Sequence, residues 1–372
     1  MKIIPVNKVN LFQDQDCLQS TDAYPPKADL PRDASIRRIL IIKWGGMGDV
    51  VISTAIMQDI CNAFPHAEIH LNAMPPWQSL FEHDSRFKKV WTVDLRKQER
   101  GILGMLRWLS VVRKNQYDLI VDLQTNDRSR LLLILLKWMG AAPQYLLGNR
   151  PLYPYYLRHH LEDQVDIHAF VMMRRMLAAV AIPANTGHPV IYSDPQSTHE
   201  AQSLLETYAL QAKRFAVFLC GSHAAGLTKR WGIDHYAQLS PLLLEKGVQK
   251  IVLVGGNDEL KECESIAARH PDIIVNLCGK TTLLQLPTLF KNAKLIIAND
   301  TGTAHLAAAS ETPMLVICGP TNPLRVKPIG QHVIAIQAEI ECKNCYQKAC
   351  DHHSCMLGLT PDKLLSYVDL LK

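Results

Sequence analysis

Nowhere in these 372 residues does an apolar run approach the roughly 18 residues that a membrane-spanning helix needs. A representative run, Leu131 to Leu136, is broken by Lys137. Met1 to Val9 carries Lys2, Pro5, Asn7 and Lys8 but no apolar h-region, so a secretory signal is not expected and the expected location is the cytoplasm. Charge of one sign is scarce too. Forty basic against 35 acidic residues leave a net charge of +5, too little for the broad basic footprint of a nucleic-acid binder. What is present is a soluble globular composition, 48% hydrophobic and 20% charged, which excludes disorder and a small stapled scaffold. At about 150 residues per domain the length implies two domains.

Residues 1 to 36 show no sustained period and read as an irregular extension. Ile39 to Ile42 then form a consecutive apolar block, the pattern of a strand buried on both faces of a parallel sheet. It runs into Lys43-Trp44-Gly45-Gly46-Met47-Gly48-Asp49, after which Val50 to Ala63 has helical spacing and stops at Pro65. Ile69 to Leu71 and Val90 to Val93 are further strands, Ile102 to Val112 an amphipathic helix, Leu119 to Asp122 a strand and Arg128 to Met139 a helix. A less patterned stretch from His188 to Lys213 precedes a restart, with strands at Phe215 to Leu219, Ile251 to Val254, Ile273 to Asn276, Leu295 to Ala298 and Met314 to Ile317. Pro361 to Leu371 reads as a terminal helix able to brace the two domains. The expected fold is α/β: a doubly wound, Rossmann-like domain over 37–200, a second over 201–372, and a ligand cleft between them.

The glycine turns exclude some chemistries. Gly45-Gly46-Met47-Gly48 does not fit G-x-G-x-x-G, and the second strand ends at Leu71-Asn72 without the acidic residue that holds a ribose. G-x-x-x-x-G-K-[ST] is absent. What remains is a turn that lets a ligand approach the backbone and opens a helix at Asp49, whose carboxylate can accept a proton from an alcohol. A second turn, Asn299-Asp300-Thr301-Gly302-Thr303-Ala304-His305, offers backbone amides, a helix start and His305 to a phosphate, and Asp300 or Thr301 can cap the helix. Gly221-Ser222-His223, followed by Thr228-Lys229-Arg230-Trp231, adds two cations able to neutralise a diphosphate. Gly319-Pro320-Thr321-Asn322-Pro323 is a rigid turn at the same sheet edge.

Taken together, Trp44 to Val51, Asp122-Leu123-Gln124, Lys229-Arg230-Trp231, Asn299 to His305 and Gly319 to Pro323 resemble the ADP-heptose:lipopolysaccharide heptosyltransferases, glycosyltransferase family 9. The resemblance implies a GT-B fold and transfer of heptose from ADP-heptose to the lipopolysaccharide inner core, with inversion and no essential metal or cofactor. It implies Asp49 as the general base. Thr301, Gly302, Thr303 and His305 would hold the donor diphosphate, with Asp300 beside them near the sugar. Lys229, next to Thr228, would offset charge on the departing ADP, and Lys43 and Gly48 would lie near the same phosphates or sugar. The partners it implies are the nucleotide-sugar donor and an anionic, lipid-linked acceptor reached by peripheral contact at the inner membrane. Arg128, Arg130, Arg150, Arg158, His159 and His160 fall in the half expected to bind that acceptor.

Two alternatives compete with transfer: a nucleotide-dependent oxidoreductase or epimerase, and a non-catalytic GT-B scaffold. The ten cysteines pose a separate question. Six are scattered and read as reduced, buried thiols. Cys342, Cys345, Cys350 and Cys355 have C-x2-C-x4-C-x4-C spacing, from which four thiolates could close a structural zinc site, but reduced thiols or a labile disulfide are favoured.

Overall fold

Apolar blocks such as residues 39–42 have no polar face to offer water, so they are stable only in sheets covered on both sides. The computed structural model of the chain shows this twice. It describes residues 6, 8–18, 26–94, 99–124, 126–150, 152–156, 167–222 and 226–371. The described chain divides into two α/β units. One comprises 26–186 with Val190–Tyr192; the other comprises the residues before 19, Gly187–Pro189 and everything from Ser193 on. No helix of the described residues is long and apolar enough to cross a membrane.

The first described elements, β1 (Val9–Phe12) and α1 (Asp14–Cys17), belong to the second unit. The first unit contains β2 (Arg38–Lys43), α2 (Met47–Ala63), β3 (Glu68–Ala73), β4 (Lys89–Thr92), α3 (Ile102–Asn115), β5 (Leu119–Asp122), α4 (Asp127–Trp138), β6 (Tyr145–Gly148) and α5 (Ala169–Ala178). Its strands are all parallel, in the order β4-β3-β2-β5-β6. Right-handed crossovers put α3 and α4 side by side on one face and α2 with α5 on the other. Beneath α3 and α4, Leu40 and Ile42 meet Trp108, Leu132 and Leu136 in one buried cluster. Asn72, fully buried on β3, organises the tryptophans there. Its Oδ1 accepts from Trp44 Nε1 at 2.9 Å and Trp108 Nε1 at 2.8 Å, and its Nδ2 donates to the Trp91 carbonyl at 3.1 Å.

The second unit continues with α6 (Pro195–Thr207), β7 (Phe215–Leu219), α7 (Ile233–Leu244), β8 (Lys250–Leu253), α8 (Leu260–Ala267), β9 (Ile274–Asn276), α9 (Leu286–Asn292) and β10 (Leu295–Asn299). It ends with α10 (Gly302–Ala308), β11 (Met314–Cys318), α11 (Pro323–Val326), β12 (Val333–Ala338), α12 (Ser354–Leu357) and α13 (Pro361–Val368). Its sheet runs β1-β12-β11-β10-β7-β8-β9, parallel except that β1 lies antiparallel to β12, with Val9 opposite Ala338. The helix α13 packs on α7 of its own unit.

Three expectations change. Residues 1–36, expected to be irregular, contain β1 and α1; α1 is anchored where the nearly inaccessible Lys327 Nζ lies 2.6 Å from Asp14 Oδ1. Four residues cannot display a period, and their partner strand lies more than 300 residues away in the chain. The weakly patterned stretch near 188–213 contains α6, started by the Asp194 carboxylate accepting from the Ser197 amide at 2.9 Å and by Pro195 at its first position. A boundary at residue 200 would cut that helix; the chain instead passes between units within 187–193. Finally, α2 begins at Met47, so Asp49 is its third residue rather than its first.

Candidate active site

In an open parallel sheet, ligands gather outside the carboxyl ends of the strands at the point where strand order reverses. The first sheet reverses between β2 and β5, and the second between β7 and β10. The segments that leave those strand ends are the ones that carry the expected site residues.

At the first switch point, Lys43 ends β2 almost wholly buried, with Nζ donating to the Leu123 carbonyl at 3.0 Å. Burial pulls its pKa below the ordinary lysine value, and the Asp49 and Asp122 carboxylates act in the opposite direction. Asp122 accepts from Tyr155 Oη at 2.6 Å and from the Gln124 amide at 2.9 Å. Gln124 Oε1 in turn accepts from the Trp44 amide at 2.9 Å, and Trp77 Nε1 donates to the Gly45 carbonyl at 3.0 Å. The turn is therefore pinned on both sides. Asp49 is exposed and folds back over Gly45, where an added Cβ would lie 2.7 Å from Asp49 Cβ and 3.0 Å from its Oδ2. Gly48 lies beside it in the same first helical turn, half-buried.

At the second switch point, Lys229 Nζ lies 2.7 Å from Oδ2 of the buried Asp300. Thr301 takes the N-cap position of α10 with its hydroxyl making no capping bond; Gly302 and Thr303 follow, half-buried, and His305 is buried. Asn299, which ends β10, ties the strand ends together. Its Nδ2 donates to the carbonyls of Cys220 and Gly221, and its Oδ1 accepts from the Trp231 amide at 3.2 Å and Tyr236 Oη at 3.1 Å. The signal was there: a polar side chain ending an otherwise apolar buried strand needs partners.

Arg230 is paired as well. Its guanidinium lies 2.7 Å from Glu262 and donates to the Ser222 carbonyl at 3.2 Å, so, like Lys229, it has a carboxylate partner within its own unit. Of the residues expected to meet the acceptor, Arg150 pairs with Asp127 at 2.8 Å and Arg130 donates to the Tyr153 carbonyl at 2.9 Å. Arg158, His159, His160 and His223 lie outside the described residues.

The cysteine-rich segment braces the second switch point. His353 Nε2 is hydrogen-bonded to the Thr228 carbonyl at 2.7 Å, and Thr228 Oγ1 donates to the Gln347 carbonyl at 2.7 Å. The Tyr346 amide donates to the Pro320 carbonyl at 2.9 Å, and the Asn322 amide to Tyr346 Oη at 3.2 Å. Cys355 and Met356 press on Gly319, where a Cβ would meet Met356 Sδ at 2.4 Å. Cys342 Sγ lies 3.9 Å from His352 Nε2, but among the described residues no three His, Cys, Asp or Glu side chains are placed to hold a metal ion.

Two Rossmann-like units, each built on a parallel sheet with polar residues at its switch point, give the chain the GT-B fold. Residues 105–355 match the sequence pattern of glycosyltransferase family 9 (heptosyltransferase), and the chain belongs to that family. It is 26% identical to lipooligosaccharide heptosyltransferase 2 of Haemophilus ducreyi, over 90% of this chain and 99% of that protein. Among solved structures, the family 9 glycosyl transferase of Veillonella parvula superposes with a TM-score of 0.77 at 20% identity, covering 90% of this chain and 97% of that one. Escherichia coli heptosyltransferase WaaC with ADP gives a TM-score of 0.66 at 20% identity, covering 90% and 100%.

Proposed function

We propose that this chain moves a heptose from ADP-heptose to the inner core of lipopolysaccharide, inverting the anomeric carbon in one displacement. Asp49 is the general base. Its exposed carboxylate takes the proton of the acceptor hydroxyl while that oxygen bonds to the anomeric carbon; the bond from that carbon to the diphosphate breaks, and ADP departs. A single in-line attack asks for positioning and for charge stabilisation at the leaving group, and no cofactor enters these steps. Thr301, Gly302, Thr303 and His305 hold the diphosphate, and Asp300 sits near the sugar. Lys229, with Thr228 next to it, offsets the charge that grows on ADP, and Lys43 and Gly48 serve the same sugar-phosphate group from the first unit.

The observation that supports this best is the ion pair of Lys229 and Asp300, 2.7 Å apart at the β7/β10 switch point, in a chain of a heptosyltransferase family. Without ligand, Asp300 keeps the lysine in place; with ligand, the ammonium can turn to a phosphate oxygen. The acceptor is an anionic, lipid-linked saccharide presented at the cytoplasmic face of the inner membrane. The Asn72 bonds argue against a dinucleotide enzyme: at the end of β3, where a ribose would need a carboxylate, this amide is buried and committed to three tryptophans.

Calorimetry with ADP, UDP and GDP tests the donor. A clear preference for ADP is expected; a preference for UDP would overturn the heptose donor, and tight NADH binding would favour an oxidoreductase. ADP release that stays absent with every heptose acceptor would favour a scaffold.

A further inference from the structure

The outer side of the α3/α4 layer is the least explained surface of the molecule. Leu103 is 83% exposed on α3 and Trp138 is 75% exposed on α4, with Ile102, Leu106, Leu131 and Met139 exposed beside them. So many exposed apolar side chains along two neighbouring helices are disfavoured by water and seldom kept by a soluble monomer without use. Most of the charge around it is basic, although Arg107 is paired with Glu99 just before α3. The two helices contain Arg107, Arg113, Lys114, Arg128, Arg130 and Lys137 against a single acid, Asp127, which is paired with Arg150. Both helices link parallel strands, so both run antiparallel to them and end at the same edge. At the far end from Ile102, Leu103 and Leu106, which open α3, Arg113, Lys114, Lys137 and Trp138 share that edge. There the Lys137 ammonium stands 5.2 Å over the ring of the exposed Tyr153, giving an aromatic and basic fringe to the apolar face.

Apolar side chains flanked by lysine, arginine, tryptophan and tyrosine match the boundary of a bilayer whose headgroups are acidic. We infer that the α3/α4 face of the first unit docks on an anionic phospholipid surface, its leucines and Trp138 entering the headgroup layer and its basic residues meeting lipid phosphates. This deepens the function proposed above and rests on it only for purpose, since an acceptor carried by lipid has to be reached at a membrane.

The test is co-sedimentation of the full chain with vesicles of phosphatidylcholine alone or mixed with phosphatidylglycerol, neither containing saccharide. The wild type is expected to partition onto the mixed vesicles, to release as salt rises, and to ignore phosphatidylcholine. Leu103→Glu with Trp138→Glu, both at exposed positions, should weaken partition by on the order of tenfold. Arg113→Glu with Lys114→Glu should abolish the preference for phosphatidylglycerol, which covers the case in which the first pair misfolds. Absence of vesicle binding by the wild type, or equal binding by both variants, overturns the inference. So does a wild-type dimer that the Leu103/Trp138 variant dissolves while its vesicle binding is unchanged, because a second copy then covers the face. Turnover of a soluble, deacylated acceptor is measured in parallel and should not change in either variant. If that turnover is missing in every protein while the vesicle pattern holds, the proposed reaction fails and the docking face stands.

Discussion

Gly45→Ala is the substitution whose effect the geometry specifies most closely. The new methyl would stand 2.7 Å from Asp49 Cβ, where ordinary contact begins near 3.4 Å, so the turn and the start of α2 must separate by about 0.7 Å. Neither side yields freely. The turn is held by Trp77 on the Gly45 carbonyl and Gln124 on the Trp44 amide, and Val50, Val51 and Ile52 bury the first turns of α2 in the core. Overpacking of this kind costs about 1–3 kcal/mol of stability. Its larger effect is on rate, because displacing a base by a good fraction of an ångström lowers turnover by roughly 10–100-fold. Steady-state ADP release should therefore show a kcat reduced by that factor, while calorimetry finds ADP affinity changed far less, since most of the groups assigned to the diphosphate, Lys229, Thr301, Gly302, Thr303 and His305, belong to the other unit. In an Asp49→Asn background the same alanine should cost little more, because the function it disturbs is already gone. Wild-type kcat in Gly45→Ala, or a full additional loss in the double variant, would refute the link between the glycine and Asp49.

Two further outcomes follow from charges beside the switch points. Lys229→Ala removes the cation and leaves the buried Asp300 unmatched, so ADP binding should weaken by on the order of tenfold or more. Titration calorimetry giving wild-type affinity would contradict it. Lys43 is held below its ordinary value of 10.5 chiefly by burial, so in the folded state it resists protonation. As pH falls from 10.5 to the lowered value, the unfolded chain takes up the proton first and stability is lost; as pH rises through that window it is regained. Denaturation curves of wild type against Lys43→Met should converge as pH climbs toward 10.5, and a constant difference would contradict the burial argument.

Much of the fold was legible because its signals are local. Blocks such as 119–121 and 215–219 are apolar throughout, and only a strand covered on both faces can use them. The Gly45 to Asp49 turn and the Asp300 to His305 turn were legible because a glycine between strand and helix marks a close backbone approach. The remainder depended on distant partners. The four residues of β1 gain meaning only from β12, and β6 and β12, short or late in the chain, gave no strong period against their flanks. The polar helix α6 exposes most of its surface, so its apolar stripe is thin and its cap at Asp194 is its clearest mark. At the sites, the sequence shows that Arg230 is basic but not that Glu262 neutralises it, and it shows Asn72 and Asn299 without the tryptophans and carbonyls that give them work. The cysteine spacing left a zinc site possible but not favoured; the hydrogen bonds of that segment show a brace for the turns at Thr228 and Pro320.

The central claim is that a proton leaves the acceptor through Asp49 while ADP is held elsewhere in the chain. Asp49→Asn, assayed with ADP-heptose and a lipopolysaccharide-core acceptor and titrated with ADP in parallel, measures it directly. Turnover should fall by about 100-fold or more with ADP affinity retained; undiminished turnover would remove Asp49 from the reaction.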